Sequence, residues 1–508
     1  MKIFSPNEAI EIFRQTTEVE GVSMIDIVDR VGKGVASEVK ERSNSDTLVV
    51  VFAGWGPNGA YAIAAARHLL DKGIEPRSFL FNIGNRLTAN CANQKKFLLK
   101  EYPDAKFYEI TQNFDIPTLN NNCLVIDGLF GIDLERPLPK SFGMLMRSIN
   151  ESGATIVSIE IPSGLFSVWN TNNSSSRDII HATVTLAVEF PPLAYFMEEN
   201  IPLIGDWKIL DVGLSRDAIK KSPHTYYLIT HRDIKHILRR REKGASKNTY
   251  GSALLCAGSY GMMGAAVLAA KGCLRAGAGK VFSYAPQCGN VVLQTAVPCA
   301  MFVPDAGEKT ITRIIPDRDY QAIAIGPGIG VSSTTINAVE AFFKMSTAKH
   351  HPLVIDADAL NCIAERPIMM NYVPPLSVLT PHTGEFDRIF GSQPSAEARL
   401  RKALEIAAYH NIILVIKGHY TAVVRPDGKV HINSSGTPAL ATPGSGDVLT
   451  GVITALIAQG YTPETAAIVG VYVHGMAGQI AEEKHGEYGV TASDIADNIG
   501  KSIKTIMG

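Results

Sequence analysis

Leu48-Val49-Val50-Val51-Phe52-Ala53 is an unbroken apolar run of strand length. It shows no alternation, so both faces of the strand are expected to be buried, as in the centre of a parallel sheet. A glycine-rich turn follows at 54–59, then a helical pattern over 60–70 that stops at Gly73. Strand, glycine turn and helix in that order open a βαβ unit. Further short strands are expected at 77–83, 123–127, 155–161, 181–188 and 207–212, with helical segments between several of them. This part of the chain reads as a doubly wound, Rossmann-like α/β domain.

The rhythm lapses over 214–250, where Arg239-Arg240-Arg241-Glu242-Lys243-Gly244 forms a charge cluster with weak hydrophobic periodicity. A solvated linker is the stronger reading, phosphate steering the weaker one. A second α/β pattern then begins: a strand at 252–257, a glycine-rich loop at 258–264, and a helix of small residues at 265–276. Apolar runs at 321–325, 353–357 and 411–416 read as further buried strands. A hairpin over 423–432 turns at Pro426-Asp427-Gly428, and from Gly446 onward the pattern is mostly helical. The halves share an opening but no sustained self-similarity, so two domains are expected, 1–220 and 225–508, and not a repeat.

Composition narrows the class of function. Among 508 residues, 48 basic and 49 acidic side chains leave a net charge of −1. That gives no electrostatic reason to bind nucleic acid or an anionic membrane. No apolar run approaches a membrane span, and the acidic start of the chain does not resemble a signal peptide. Seven cysteines form no CxxC pair, and several lie inside apolar runs. Buried reduced thiols, and hence a cytoplasmic location, are expected. The small-residue helices at 265–276 and 464–480 offer faces on which a homo-oligomer could form.

The segment richest in chemistry is Thr442-Pro443-Gly444-Ser445-Gly446-Asp447-Val448-Leu449-Thr450-Gly451, small residues running directly into an apolar helix. Glycines admit a ligand close to the backbone, and the free N–H groups of a first helical turn bind anions. Taken alone, Asp447 reads as a helix cap; beside a bound phosphate it is placed to take a proton from an attacking hydroxyl. Its neighbours favour the second reading. Gly326-Pro327-Gly328-Ile329-Gly330 follows a strand. Asp356 and Asp358, at i and i+2, are expected to share one face at a strand end. Pro381-His382-Thr383-Gly384-Glu385 and Lys417-Gly418 end two more strands. In open α/β sheets those ends border the ligand crevice. Loop caps, a satisfied histidine and a surface lysine would explain each feature singly.

Gly444-Ser445-Gly446-Asp447 resembles the anion hole and catalytic aspartate of the ribokinase superfamily. With Gly258-Ser259-Tyr260-Gly261-Met262-Met263-Gly264-Ala265, Leu274-Arg275-Ala276-Gly277-Ala278-Gly279, Gly326-Pro327-Gly328, Asp356-Ala357-Asp358-Ala359-Leu360, Pro381-His382-Thr383-Gly384-Glu385 and Lys417-Gly418, residues 230–508 resemble the ADP/ATP-dependent NAD(P)H-hydrate dehydratases. The resemblance implies a ribokinase-like α/β/α domain that removes water from hydrated NADH or NADPH at the expense of ADP or ATP with Mg2+. It implies Asp447 as base and Lys417, Gly418, His419, Tyr420, Thr421, Gly444, Ser445 and Gly446 around the nucleotide. Ala265, Gly328, Gly330, His382 and Asp447 would face the hydrated dinucleotide, and Glu385 would help hold magnesium.

The first half resembles the NAD(P)H-hydrate epimerases through Ala53-Gly54-Trp55-Gly56-Pro57-Asn58-Gly59-Ala60-Tyr61-Ala62, Val125-Ile126-Asp127-Gly128-Leu129-Phe130-Gly131 and Ile159-Glu160-Ile161-Pro162-Ser163-Gly164. That resemblance implies Asp127 and Glu160 as acid/base candidates and Asn58, Gly59, Gly131 and Glu160 as substrate contacts. Asn58, Asp127 and Ser163 would be ligands of a potassium ion. The family loop reads Gly-Asn-Asn-Gly-Gly-Asp-Gly. Here Pro57, Ala60, Tyr61 and Ala62 depart from it, and Glu160 and Phe166 stand where aspartates are usual. Proline removes an amide donor and a β-carbon at Ala60 restricts the backbone, so weakened epimerisation is expected. The alternative is a small-molecule kinase of the ribokinase superfamily with a non-catalytic N-terminal module.

Overall fold

The computed structural model describes residues 1–173, 175–348 and 351–508. It divides into two compact units, Lys2–Thr225 and Tyr226–Gly508.

The N-terminal unit is built on seven parallel strands: β1 (Leu48–Ala53), β2 (Arg77–Phe81), β3 (Phe107–Ile110), β4 (Cys123–Gly128), β5 (Thr155–Ile159), β6 (Val184–Val188) and β7 (Asp206–Leu210). Their spatial order is 3-2-1-4-5-6-7, with every pair parallel. The order reverses between β1 and β4, the switch point at which such sheets open a crevice beyond their C-terminal ends. The helix Pro57–Asp71 leaves β1 and is buried along Ala60, Ala62, Ile63, Ala64, Ala65 and Ala66. It begins three residues before the expected start, because Pro57 takes the N1 position where its missing N–H costs nothing. The expected doubly wound domain is the one observed.

The C-terminal unit carries β8 (Tyr226–Ile229), β9 (Ser252–Cys256), β10 (Lys280–Ala285), β11 (Met301–Pro304), β12 (Ala322–Ile325), β13 (Leu353–Ile355), β14 (Val378–Leu379), β15 (Ile413–Ile416), β16 (Ala422–Val424) and β17 (Val430–Asn433). They run in the order 8-17-16-15-14-13-12-9-10-11. The block from β15 through β11 is parallel throughout; β16–β17 is the expected hairpin, and β15 extends it into an antiparallel meander. Its core joins the small-residue helices Met263–Arg275, Ser445–Ala458 and Pro463–His485 to the sheet. A β-carbon on Gly451 would strike the Ala269 carbonyl, and one on Gly272 would meet the Val448 carbonyl. Those residues are small because helices within this unit touch there. On Pro463–His485, Gly470, Gly475 and Gly478 lie against Ile453, Ser435 and Leu440 in the same way. Gly272, Gly470, Gly475 and Gly478 are thus taken up by packing inside the unit.

Two other expectations change. The stretch 214–250 is not featureless: it holds β8, which pairs in parallel with β17, and the helices Arg216–Lys221 and His231–Ile237. In its charge cluster, the Arg239 and Arg241 guanidinium groups lie over the rings of Tyr461 and Tyr250. Asp356 and Asp358 also do not share an extended strand. β13 ends at Ile355, Ala357 turns the chain with φ +49°, and Asp358 lies in the first turn of the helix Ala357–Glu365.

Candidate functional site

In the C-terminal unit, parallel strands deliver side chains to one edge of the sheet. β13 delivers Asp356, β15 delivers Lys417, and β14 leads through Thr380 and Pro381 to His382. Asp356 is buried, and its two oxygens have different partners. Lys417 Nζ donates to Oδ1 at 2.9 Å and Thr450 Oγ1 donates to Oδ2 at 2.6 Å. Burial favours neutral Lys417, but Asp356, with Glu385 and Asp447 beyond it, holds the ammonium above its ordinary range. The Asp356–Thr450 bond ties this charge pair to the helix Ser445–Ala458, one turn beyond Asp447.

That helix begins at Gly444, whose φ of +89° is a left-handed conformation that L side chains rarely adopt. No side chain caps the helix; the Ser445 amide donates back to the Thr442 carbonyl at 3.2 Å, and Gly444, Ser445 and Gly446 line the cleft. Asp447 sits in the first turn, with its carboxyl pushed up to about 7. Burial is the main cause and the Asp356 charge adds to it, while Lys417 opposes both. A base poised near neutrality is efficient in both directions of proton transfer. Behind the turn, the His474 ring nitrogen Nε2 is 3.0 Å from the Ser445 carbonyl and 3.3 Å from Ser445 Oγ. Burial pushes His474 down to about 4, so the ring is neutral and donates a hydrogen bond to the carbonyl.

A cleft of about 850 Å³ opens over this arrangement. Lys417, Gly418, His419, Tyr420 and Thr421 line one wall; Gly444, Ser445, Gly446 and Asp447 form the floor, with His382 and Glu385 at one side. His382 caps the helix Thr383–Phe390, its Nδ1 accepting from the Gly384 and Glu385 amides at 3.0 and 3.4 Å. Its ring is nonetheless half exposed at the cleft. Ala265, Gly328 and Gly330 lie outside the cleft lining but form a group of their own. A β-carbon on Gly328 would stand 3.0 Å from Ala265 Cβ, and the Gly330 amide donates to Asp358 at 2.8 Å.

The N-terminal unit places its motifs at the sheet switch point. Asp127, at the end of β4, is fully buried and accepts from Ser158 Oγ, Ser163 N, Ser163 Oγ and Leu129 N. Both its oxygens are occupied, and burial raises its pKa. Glu160 follows β5 with φ +64° and accepts from the Ile132 amide at 3.0 Å. Burial pushes it up to about 7, with the Asp133 charge adding to the shift. A β-carbon on Gly131 would run into Glu160 Oε2, so that glycine makes room for the carboxylate. Asn58 donates to the Phe130 and Ile159 carbonyls at 2.8 and 3.1 Å, and its Oδ1 is buried without a partner. Gly59 packs on Gly54, where a β-carbon would meet the Gly54 carbonyl. Tyr61 is buried within reach of the Glu160 and Asp133 charges, which with burial push its phenol well up.

Residues 253–501 match the family described as NAD(P)H-hydrate dehydratase, and residues 25–194 match YjeF-related protein N-terminus. A bifunctional NAD(P)H-hydrate repair enzyme of Moorella thermoacetica is 31% identical over 90% of this chain and 89% of its own. The chain belongs to the bifunctional NAD(P)H-hydrate repair enzymes. A relative of the same name from Thermofilum pendens is 29% identical over 100% of this chain and 97% of its own. Among solved structures, an ADP/ATP-dependent NAD(P)H-hydrate dehydratase from Bacillus subtilis, co-crystallised with ATP and Mg2+, is similar at 30% identity. It matches 55% of this chain and 98% of its own, with a TM-score of 0.48. Repair-enzyme relatives spanning both halves do not favour the kinase alternative.

Sequence reasoning missed three groups of this repair-enzyme site: the Asp356–Lys417 ion pair, Thr450 and His474. Asp356 and Lys417 were legible as strand-end residues, but their pairing joins positions 61 residues apart. His474 lies mid-helix among small residues, and its spacing gives no sign that it faces Ser445.

Proposed function

We propose that this chain repairs hydrated NADH and NADPH, with Asp447 as the base of a nucleotide-dependent dehydration. The observation that carries the reading is a carboxylate with raised pKa in the uncapped first turn of a buried helix, beside a lysine, at the edge of a cleft large enough for a nucleotide. ADP or ATP would lie along Lys417, Gly418, His419, Tyr420 and Thr421, its terminal phosphoryl against Gly444, the Ser445 hydroxyl and the Gly446 amide. The S hydrate would approach from Ala265, Gly328, Gly330 and His382. Asp447 takes the proton of the ring hydroxyl, whose oxygen forms a bond to the phosphoryl group as the bond to the nucleotide breaks. The backbone amides and Lys417 hold the charge spread over the phosphoryl oxygens. Phosphate then departs, and loss of a proton from the adjacent ring carbon restores the nicotinamide double bond.

Magnesium fits this site as a nucleotide-borne ion. Among the described residues no group of three or more His, Cys, Asp or Glu side chains is arranged to hold a metal. Glu385 lines the cleft and would meet the ion through water; the ion would neutralise phosphate charge.

For the N-terminal half we propose slow epimerisation of R and S hydrates, with Glu160 moving the ring proton. Asp127, whose oxygens already accept four bonds, orients Ser163 instead. A potassium ion fits the partnerless Asn58 Oδ1 and the Ser163 hydroxyl, with Asp127 acting through Ser163, and would supply fixed positive charge. Pro57 and Tyr61 account for the reduced rate. No described helix is long and apolar enough to cross a membrane, and all seven cysteines are unpaired, which supports a cytoplasmic location.

Asp447→Asn tests the dehydratase reading: recovery of NADH from the S hydrate is expected to fall about 10²–10⁴-fold, with nucleotide binding retained. Undiminished turnover would remove Asp447 from the role of base.

A further inference from the structure

Arg388 lies on the helix Thr383–Phe390, one turn after Gly384. Its guanidinium reaches back along the helix toward His382. A β-carbon on Gly384 would stand 3.8 Å from Arg388 Nη2, an ordinary contact, and 3.1 Å from His382 Cε1, so the guanidinium and the imidazole flank the same glycine. The guanidinium is also held from a second side. Arg388 Nη1 donates to Asn361 Oδ1, Asn361 Nδ2 donates to Asp358 Oδ1 at 3.2 Å, and Asp358 Oδ2 accepts from the Gly330 amide at 2.8 Å. A chain of hydrogen bonds thus fixes an exposed cation between two groups assigned to the dinucleotide, His382 and Gly330. No ion pair to Arg388 occurs among the described residues; its one side-chain partner, Asn361, is neutral. The arrangement orients a planar donor fork and leaves its charge without a counterion, which suits a phosphate.

We propose that Arg388 binds a phosphate of the dinucleotide substrate. The inference rests on the dehydratase reading above. The reacting ring must reach Asp447, so the remainder of the dinucleotide leaves past Gly330 and His382, toward this fork. Two phosphates could occupy it: the pyrophosphate shared by both substrates, or the 2′-phosphate present only in NADPH.

The test measures KM and kcat of the full-length protein for the S hydrates of NADH and NADPH, with nucleotide and magnesium, in wild type, Arg388→Ala and Arg388→Gln. Arg388→Gln keeps a donor for Asn361 and removes the charge. Both variants are expected to raise KM about tenfold, the scale of one charge-assisted hydrogen bond, and to affect kcat less. A rise confined to NADPH hydrate assigns the 2′-phosphate; an equal rise for both assigns the pyrophosphate. Wild-type KM in Arg388→Gln, or a loss in kcat alone, overturns the proposal. Absence of wild-type turnover overturns the dehydratase reading and this inference with it.

Discussion

Asp447 stands in a position that harms stability and serves chemistry. A carboxyl whose folded pKa lies near 7 binds more protons in the folded than in the unfolded chain, where its pKa is about 3.9. The contribution of Asp447 to the stability of the ligand-free protein is therefore fullest below about pH 4 and is lost as pH rises toward 7. Asp447→Asn removes the penalty: its melting temperature is expected to exceed wild type at pH 8 and to approach it at pH 4. Equal differences at the two pH values would show that Asp447 titrates normally. With Asp447 as the proposed base, turnover is expected to rise with pH through about 7. Asp356→Asn removes a like charge and frees Lys417; both effects move that acid limb to lower pH, read from the pH profile of kcat/KM. An unmoved limb would sever Asp356 from the base. Asp447 was legible in the sequence because small residues preceding an apolar helix are distinctive. Its electrostatic setting was not, since Asp356 and Lys417 meet it only through the fold.

At the scale of elements, the turn that carries Asp447 is held by a tight helix pair. The helix Ser445–Ala458 presses on Met263–Arg275 so closely that Gly451 has no room for a side chain against the Ala269 carbonyl. Gly451→Val is expected to lower stability by about 1–3 kcal/mol through overpacking, measured by urea denaturation. An unchanged midpoint would show that the helices separate freely. The buried strands were legible because parallel strands covered on both faces read as continuous apolar runs, as at Leu48–Ala53 and Ile413–Ile416. β8 was not. Tyr226–Ile229 is short, is followed closely by charged residues, and finds its partner some 200 residues later at Val430–Asn433. The turn at Ala357 was equally hidden: a left-handed alanine leaves no mark in a periodicity, so two aspartates expected on one strand became the end of a strand and the start of a helix.

For the whole molecule, each half has its own sheet, core and carboxylate of raised pKa, so the two activities are expected to separate by mutation. Glu160→Gln should abolish conversion of R to S hydrate beyond the spontaneous rate while leaving dehydration of S hydrate within about twofold. Conversion that survives the change would move the acid/base group elsewhere. The N-terminal departures from the family loop were plain in the sequence. Their consequence needed the structure, which keeps Glu160 beside Gly131 while burying Tyr61 within range of its charge. The near-neutral composition also gains a reason. In the proposed reading, backbone amides, Lys417 and Arg388 meet the anionic dinucleotide and nucleotide, so no broad basic surface is required. The most direct test of the account incubates the full-length protein with the S hydrate of NADH, magnesium and either ADP or ATP, and follows the absorbance of the reduced nicotinamide ring. NADH absorbance is expected to return with at least one nucleotide and to stay absent in Asp447→Asn. No recovery by the wild-type protein with either nucleotide would contradict the dehydratase reading.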